Sequence, residues 1–403
     1  MITDGKKPND AVILSGARTP VGKFMGVLSS IPAPRLGAVA VKAAVERAGI
    51  DPAQIEEVIM GQVVSAGSGQ APARQAAIFA GLPAEVGAFA VNKVCGSGLK
   101  AVMLAAQAIR AGDADAIVAG GMESMSNAPH YLYGHRSGVK IGDQTLVDGM
   151  IRDGLWCATC NVHMGGHAEY TARKANVTRE RQDALAAESH RRAVAAQDAG
   201  KFRAEIIPVE IPGKKGPTIV ESDEGPRRDT TPQTLASLKP AFGAKGETDL
   251  SVTAGNASTL NDGAAALVIV SEAFAKAQGL TVMARINAYA TGAVEPRDLF
   301  FAPIRAVGKL LAKEGSKIGD YDLIEANEAF ASQSLADGDA LGWDPARVNV
   351  NGGAIALGHP IGASGARVLV TLLYALADRG GRRGLATLCL GGGDAVALSV
   401  TRP

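Results

Sequence analysis

The chain has 403 residues, which is enough for two or three packed units and a large core. Its 41 basic and 40 acidic residues nearly balance, which argues against a nucleic acid or a membrane surface as the main partner. Four cysteines in a chain of this length give no disulfide framework, and the N-terminus does not resemble a signal peptide, so we expect reduced thiols in a cytoplasmic protein. The apolar runs are shorter than the roughly twenty residues that span a bilayer, so we expect no membrane segment.

Strand and helix patterns alternate through the first third of the chain. The predicted strands lie at 11–14, 58–60, 89–94 and 115–119, and the predicted helices at 36–48, 72–79 and from about 99 onward. This alternation predicts an α/β fold with a mainly parallel sheet.

A segment of different character follows, at about residues 126–259. It contains a long polar helix predicted at 178–199 and a loop-rich stretch at 208–231. We interpret it as an inserted loop domain that caps the α/β core.

The alternation returns near the C-terminus. Predicted helices lie at 303–313, 329–340 and 366–376, and predicted strands at 323–325, 348–350 and 385–390. Val58 aligns with Leu323 and Gly98 with Gly365, at offsets of 265 and 267 residues. A nearly constant offset predicts an internal duplication, although two unrelated α/β halves can also agree by chance.

Cys95 stands where a predicted strand meets a predicted helix, directly before Gly96-Ser97-Gly98. Such a turn exposes the side chain at the edge of a sheet, and the N-terminus of the following helix favours thiolate over thiol. The sequence therefore predicts a nucleophilic cysteine. The alternative is a small buried cysteine in an Ala-rich core.

Three further residues fit the chemistry of a thiol nucleophile. If the halves pack together, His359 shares the crevice with Cys95 and can act as its base. Cys389 precedes three glycines, the first of them Gly391, whose backbone N–H groups can bind an oxyanion, and its own thiol can shuttle a proton. Taken singly, each has a structural alternative: a histidine that shapes a turn, a core cysteine, and, for Asn327, a helix N-cap.

These residues lie in four of six segments that resemble the signature motifs of the thiolase family, most closely its biosynthetic members. The segments are Asn92-Lys93-Val94-Cys95-Gly96-Ser97-Gly98-Leu99-Lys100, Gly121-Met122-Glu123-Ser124-Met125-Ser126, Asn256-Ala257-Ser258 with Asn261-Asp262-Gly263-Ala264-Ala265, Asn327-Glu328-Ala329-Phe330-Ala331, Asn351-Gly352-Gly353-Ala354-Ile355-Ala356-Leu357-Gly358-His359-Pro360 and Cys389-Leu390-Gly391-Gly392-Gly393. They occur in the family's order and extend over nearly the whole chain from about residue 10.

The resemblance implies an acyltransferase that condenses two acetyl-CoA into acetoacetyl-CoA and CoA. Cys95 would carry the acyl group, His359 would assist its deprotonation, and Cys389 would move the α-proton. Asn327 would hold a water that stabilises the enolate oxygen, and the N–H groups of Cys95 and Gly391 would form the other oxyanion hole. No bound cofactor and no metal are implied, because coenzyme A thioesters are the substrates.

The resemblance also implies where coenzyme A binds and how the chain is organised. The expected binding residues are His163, Met164, Arg227, Thr234, Phe242, Ser258, Ala329 and Phe330. The expected fold has two duplicated βαβαβαββ halves in a layered α/β/α/β/α core: residues 1–125, completed at about 260–280, and residues 281–403. Residues 126–259 form the loop domain, through which a homotetramer would assemble.

Several positions depart from the family pattern. Asp394 and Ala395 follow the glycines, and a carboxylate there is expected to disfavour the Cys389 thiolate. Thr259 is expected to narrow the acyl path. Cys157 and Cys160 form a pair that lacks the second half of a zinc site.

The alternatives left open are a 3-ketoacyl-CoA thiolase of broader chain length, a β-ketoacyl synthase relative and a non-catalytic acyl-CoA or lipid carrier. Chain-length and branching preference, direction of flux and oligomeric state beyond the resemblance are not fixed by the sequence.

Overall fold

The structure, a computed structural model, describes residues 10–214, 216–243 and 246–403. Within these residues the strands are β1 (Ala11–Arg18), β2 (Gly22–Lys23), β3 (Glu57–Gly61), β4 (Gly87–Val91), β5 (Ala116–Ser124), β6 (His130–Tyr131), β7 (Val147–Asp148), β8 (Trp156–Cys157), β9 (Val162–His163), β10 (Val209–Ile211), β11 (Thr218–Val220), β12 (Asn261–Ser271), β13 (Ala284–Ala293), β14 (Leu323–Ala326), β15 (Arg383–Leu390) and β16 (Asp394–Thr401).

The α-helices of the same residues are α1 (Ala33–Ala48), α2 (Pro72–Phe79), α3 (Ser97–Ala111), α4 (Met164–Lys174), α5 (Arg179–Asp198), α6 (Pro232–Ala236), α7 (Glu272–Ala277), α8 (Ala302–Glu314), α9 (Ala331–Leu341), α10 (Ala354–Leu357) and α11 (Ile361–Arg379).

The two halves repeat one strand order. The N-terminal half pairs its strands as β1-β12-β5-β3-β4, and the C-terminal half as β13-β16-β15-β14. In the C-terminal half, Val348 occupies the place of a fifth strand, since it bridges Ile324 of β14 in parallel. The halves join where β1 and β13 pair over two residues. This repeated order confirms the predicted duplication.

The sheet is mixed, so the prediction of a mainly parallel sheet is wrong. The pairs β3–β4, β3–β5 and β14–β15 are parallel, but β1–β12, β12–β5, β13–β16 and β15–β16 are antiparallel. The lengths of the connections between strands explain the difference. Parallel neighbours need a long crossover, whereas the three residues Gly391–Gly393 join β15 directly to β16 and make this pair antiparallel.

Helices form three layers around these strands. Helices α3 and α11 pack against each other between the two halves, α1 covers the outer face of the N-terminal half, and α8 covers that of the C-terminal half. The result is the predicted α/β/α/β/α layering. Helix α11 has the length and composition of a membrane span, contrary to the predicted shortness of the apolar runs, but 83% of its apolar window is buried inside the protein. It is the central core helix.

Residues 348–350 were predicted as a strand, but only Val348 bridges β14, and the chain turns away at Asn349 and Val350. Asn349 has φ = 46°, and its side-chain amide replaces the missing ladder: Oδ1 accepts from the N–H of Ala326 at 2.9 Å, and Nδ2 donates to the carbonyl of Ala326 at 2.8 Å. The side chain therefore pairs with β14 as a strand would.

The segment between the halves carries α4, α5, α6 and three two-stranded sheets. Helix α5 matches the predicted long helix, is capped by Thr178 and packs on α6, α9 and α10. It therefore supports the residues that lead to His359. The division at residues 1–125, 126–259 and 281–403 remains a prediction, and residues 1–9 lie outside the described residues.

Candidate active site

Cys95 lies on a strained turn between β4 and α3. Val94 has φ = 47°, a left-handed conformation that β-branched residues rarely adopt. Ser97 holds the turn closed: its hydroxyl donates to the carbonyl of Val94 at 2.6 Å and accepts from the N–H of Lys93 at 2.8 Å. Strain of this kind costs about 1–3 kcal/mol and is typical of functional sites.

His359 lies on the matching turn of the second half, between α10 and α11. Its backbone N–H donates to Oδ1 of Asn261 at 2.9 Å, and its ring Nδ1 lies 2.6 Å from Oγ of Ser364. Ser364 Oγ also lies 2.9 Å from the carbonyl oxygen of Pro360, which can only accept. The hydroxyl therefore donates to Pro360 and accepts from Nδ1–H, which leaves the lone pair on Nε2 of His359.

The two turns meet because α3 and α11 cross at glycines. A Cβ on Gly98 would lie 2.7 Å from the backbone nitrogen of Ala366, and one on Gly365 would lie 2.3 Å from that of Leu99. Both distances are too short for any side chain. The glycines that revealed the duplication are thus the ones that let the helices approach.

Cys389 ends β15 beneath the same crevice, and the glycine loop carries Gly391 back to Cys95. Cys389 is buried and lines the same cavity as Cys95, and a charge on Cys95 would raise the pKa of Cys389. The backbone N–H groups of Gly391 and of Cys95 itself both lower the pKa of the Cys95 thiol. Gly391 and Cys95, the predicted oxyanion donors, line the same cavity.

The electrostatics of Cys95 contradict one prediction. Burial of the thiol raises the pKa of Cys95 to about 11, and the two N–H donors offset this only in part. With a pKa of about 11 the thiol form predominates at neutral pH, contrary to the predicted thiolate. Burial also raises the pKa of Cys389 well above its usual value, while burial and the nearby Arg367 lower the pKa of His359 to about 3.

Asn327 is buried beside this site, at the end of β14. Its backbone N–H donates to the carbonyl of Thr387 at 3.0 Å, but neither side-chain amide atom has a partner among the described residues. It does not face the main cavity, unlike the other predicted catalytic residues. An amide left free in this way suits a bound water.

One cavity of about 710 Å³ joins the predicted residues. Its lining includes Cys95, His359, Cys389 and Gly391 together with all the predicted binding residues: His163, Met164, Arg227, Thr234, Phe242, Ser258, Ala329 and Phe330. A volume of this size suits a large organic ligand.

Aromatic rings crowd the cavity wall near Cys389. The rings of His163 and Phe242 stack at 5.4 Å, Phe242 meets Phe330 edge-on at 6.0 Å, and Phe300 lies 5.3 Å from Phe330. Phe300, Phe330 and Cys389 belong to one apolar cluster, with Met164 and Phe242 packed against it. These apolar side chains form the cavity wall beside Cys389.

Two of the residues that depart from the family pattern, Asp394 and Thr259, have defined contacts in the structure. Asp394 forms an ion pair with Lys93, and the groups that raise the pKa of Cys389 are burial, Cys95 and Asp337, so the expected effect of Asp394 on Cys389 is wrong. Thr259 lines the cavity, but its hydroxyl donates to Oδ1 of Asn261 at 2.8 Å. It thereby orients the residue that holds the backbone of His359.

Sequence reasoning missed two supporting residues. Ser364 gave no signal, because a serine near a helix start is ordinary. Glu123 did give one, as an acidic residue inside an apolar strand. Its carboxylate accepts from the N–H groups of Val63, Val64 and Gly362 at 2.9–3.2 Å, and burial raises its pKa to about 7. It ties the start of α11 to the first half.

Comparison with known proteins agrees with this geometry. Residues 11–273 match the family model "Thiolase, N-terminal domain" and residues 280–402 match "Thiolase, C-terminal domain". The acetyl-CoA acetyltransferase of Pseudomonas aeruginosa is 57% identical over 98% of this chain and 99% of its own length, and that of Cupriavidus necator has the same identity and coverage.

A solved structure is also similar. The crystal structure of the Bacillus anthracis acetyl-CoA acetyltransferase superimposes with a TM-score of 0.96 at 39% identity, covering 99% of this chain and all of that one.

Proposed function

This chain belongs to the thiolase family, and we propose that it is an acetyl-CoA acetyltransferase, which joins two acetyl-CoA into acetoacetyl-CoA and CoA and runs the reverse thiolysis. The observation that carries the proposal is the convergence of Cys95, His359, Cys389 and Gly391 in one cavity. The relatives' names support the choice of substrate.

In the first half-reaction, Cys95 attacks the thioester carbon of acetyl-CoA. Because the thiol is protonated at rest, its proton passes to Nε2 of His359 as the S–C bond forms. The N–H groups of Cys95 and Gly391 stabilise the oxyanion. Coenzyme A leaves with the proton, and the acetyl group remains on Cys95.

In the second half-reaction, Cys389 removes the α-proton of a second acetyl-CoA. Cys389 first passes its thiol proton to Nε2 of His359. Because a thiolate at this buried position is costly, removal of the α-proton is coupled to stabilisation of the enolate oxygen by Nε2–H of His359 and a water on Asn327. The carbanion attacks the carbonyl carbon of acetyl-Cys95, the C–C bond forms, and the bond from that carbon to the Cys95 sulfur breaks. Cys95 takes the proton back from Nε2 of His359, and acetoacetyl-CoA departs. None of these acyl and proton transfers needs a redox cofactor or a metal.

The long axis of the cavity would hold coenzyme A. Arg227 and Thr234 would lie along the nucleotide end, and Ser258, His163 and Met164 along the pantetheine. The aromatic wall of Phe242, Phe300 and Phe330 favours an acetyl group over longer chains. A 3-ketoacyl-CoA thiolase of broader chain length is the competing function, and a carrier without turnover is the third.

We also propose that the protein works as a cytoplasmic homotetramer. Apolar side chains are exposed along the loop at 127–156, among them Leu132, Tyr133, Val139, Ile141 and Leu146. Exposed apolar residues gathered on one loop are typical of an interaction surface. The near-neutral net charge supports small-molecule partners over nucleic acid or membrane.

A chain-length series tests the activity. Purified protein is assayed for thiolysis of acetoacetyl-, 3-ketohexanoyl- and 3-ketodecanoyl-CoA, with Cys95→Ala and Cys389→Ala in parallel. Preference for acetoacetyl-CoA, abolished by either substitution, supports the proposal. Equal or faster turnover of the longer chains would make it a broad 3-ketoacyl-CoA thiolase, and binding without turnover would make it a carrier.

A further inference from the structure

The turn between β8 and β9 gathers three metal-binding side chains. The sulfurs of Cys157 and Cys160 and a ring nitrogen of His167 all lie within 4.8 Å of one another. Among the described residues, those that line the active-site cavity do not include these three, and the proposed acyl transfer uses none of them. The sequence showed the cysteine pair but not its third member, which comes from the first turn of α4.

His167 is prepared as a ligand. Its side chain is 3% exposed, and Nδ1 lies 3.3 Å from the carbonyl oxygen of Arg297. A carbonyl can only accept, so Nδ1 carries the proton and Nε2 keeps its lone pair. That Nε2 is buried without a partner among the described residues. A histidine held by a backbone carbonyl through one nitrogen is the usual arrangement when the other binds a metal.

The turn also prepares the thiols. The sulfur of Cys157 lies 3.4 Å from the N–H of Cys160 and 3.2 Å from the hydroxyl of Thr159, and both can donate to a thiolate. Asn161 closes the turn with φ = 54° and accepts from the indole N–H of Trp156 at 3.0 Å. Cys160 is partly exposed, which gives a metal ion access to the site.

We propose that Cys157, Cys160 and His167 bind one Zn²⁺ ion per chain. Two thiolates and an imidazole are donors that zinc prefers, and water or another donor completes a tetrahedron. On binding, each thiol loses its proton to solvent, two Zn–S bonds and one Zn–N bond form, and no electrons move.

The ion would act on structure. It would tie the β8–β9 hairpin to α4 at their junction, where His163 ends β9 and Met164 begins α4, and both of these residues line the cavity. His163 also caps α4 by accepting from the N–H of Gly165 at 3.0 Å. Zinc would therefore stiffen one wall of the cavity. The relevance of this effect to catalysis rests on the proposed function, whereas the metal binding does not.

The test is metal content and affinity, measured independently of turnover. The full chain is kept reduced with a phosphine, equilibrated with Zn²⁺, gel-filtered and analysed by mass spectrometry of the metal. Titration with Co²⁺ then reports thiolate ligation by its charge-transfer absorption. The variants are Cys160→Ser and His167→Gln, and the matched control is the double variant Cys95→Ser/Cys389→Ser, which keeps the cluster.

The expected result is one Zn²⁺ per chain in the wild type and the control, with binding at least tenfold weaker in Cys160→Ser and in His167→Gln. Zinc should raise the melting temperature of the wild type but not of Cys160→Ser. The proposal is overturned if the reduced wild type binds no zinc, if Cys160→Ser binds it equally well, or if binding is lost in the control. Isolation of a Cys157–Cys160 disulfide that resists the phosphine would also overturn it.

Discussion

Removal of the Ser364 hydroxyl is expected to slow acyl transfer, although Ser364 does not line the substrate cavity. In the wild type this hydroxyl accepts from Nδ1–H of His359 at 2.6 Å and donates to the carbonyl of Pro360 at 2.9 Å. In Ser364→Ala, Nδ1–H is buried without a partner. The ring can then place its proton on Nε2, which removes the base that Cys95 needs.

The size of the effect follows from the lost hydrogen bond. Leaving a buried polar group unsatisfied costs about 1–3 kcal/mol. If that whole cost falls on the active tautomer, kcat/KM falls about 5- to 150-fold, since about 1.4 kcal/mol corresponds to a factor of ten. The KM for acetoacetyl-CoA should change little, because Ser364 does not line the cavity.

The assay is thiolysis of acetoacetyl-CoA under saturating and limiting CoA, with circular dichroism to verify folding. Ser15→Ala is the matched control: it also removes a buried serine hydroxyl, one that donates to the carbonyl of Ala44 at 2.6 Å far from the site. A Ser364→Ala enzyme within twofold of wild type, or an equal loss in Ser15→Ala, would refute the role assigned to Ser364.

Three other substitutions or conditions test separate parts of the account. The rate of Cys95 alkylation, followed by peptide mass spectrometry, should rise about tenfold per pH unit from pH 7 to 9. The reason is that a pKa of about 11 keeps the fraction of Cys95 thiolate small in this range, and a rate that levels off below pH 8 would contradict it. Asp394→Asn should leave thiolysis within twofold and lower the free energy of unfolding in denaturant by less than about 1 kcal/mol, since the Lys93–Asp394 ion pair is partly exposed and Asp394 does not act on Cys389. A large fall in kcat would show that Asp394 does influence Cys389. Gly98→Ala should lower the free energy of unfolding by about 1–3 kcal/mol or more, because the new methyl group would clash at the α3–α11 crossing. Gly308→Ala in α8 has open space around its Cβ position and should raise the free energy of unfolding by up to about 1 kcal/mol. Equal melting temperatures of the two variants would count against the close helix crossing.

The sequence predicted the duplication and the meeting of Cys95 with His359 because both depend on glycine positions that repeat along the chain. The glycines at the helix crossing, Gly98 and Gly365, occupy equivalent positions in the two halves, and the strands around them recur at nearly the same offset in the sequence. No repeated sequence pattern indicated which neighbouring strands pair antiparallel. They depend on how β12 returns after the inserted segment and on the short connection from β15 to β16.

Quantities set by burial could not be predicted. The local pattern around Cys95 indicates a helix N-terminus, which lowers the pKa of a thiol, but burial of the thiol raises its pKa to about 11. Asp394 shows the converse: its position in the chain suggested contact with Cys389, and its partner Lys93 is 301 residues away. Contacts between distant segments decided both.

The measurement that tests the central claim most directly is capture of the acyl group. The Cys389→Ala variant is mixed with acetyl-CoA, quenched in acid, digested and analysed by mass spectrometry. Because this variant keeps Cys95, His359 and Gly391 but cannot take the α-proton, it should carry one acetyl group per chain, on the peptide that contains Cys95, with one CoA released. Acetyl groups on another residue, or none at all while CoA still binds, would contradict the account.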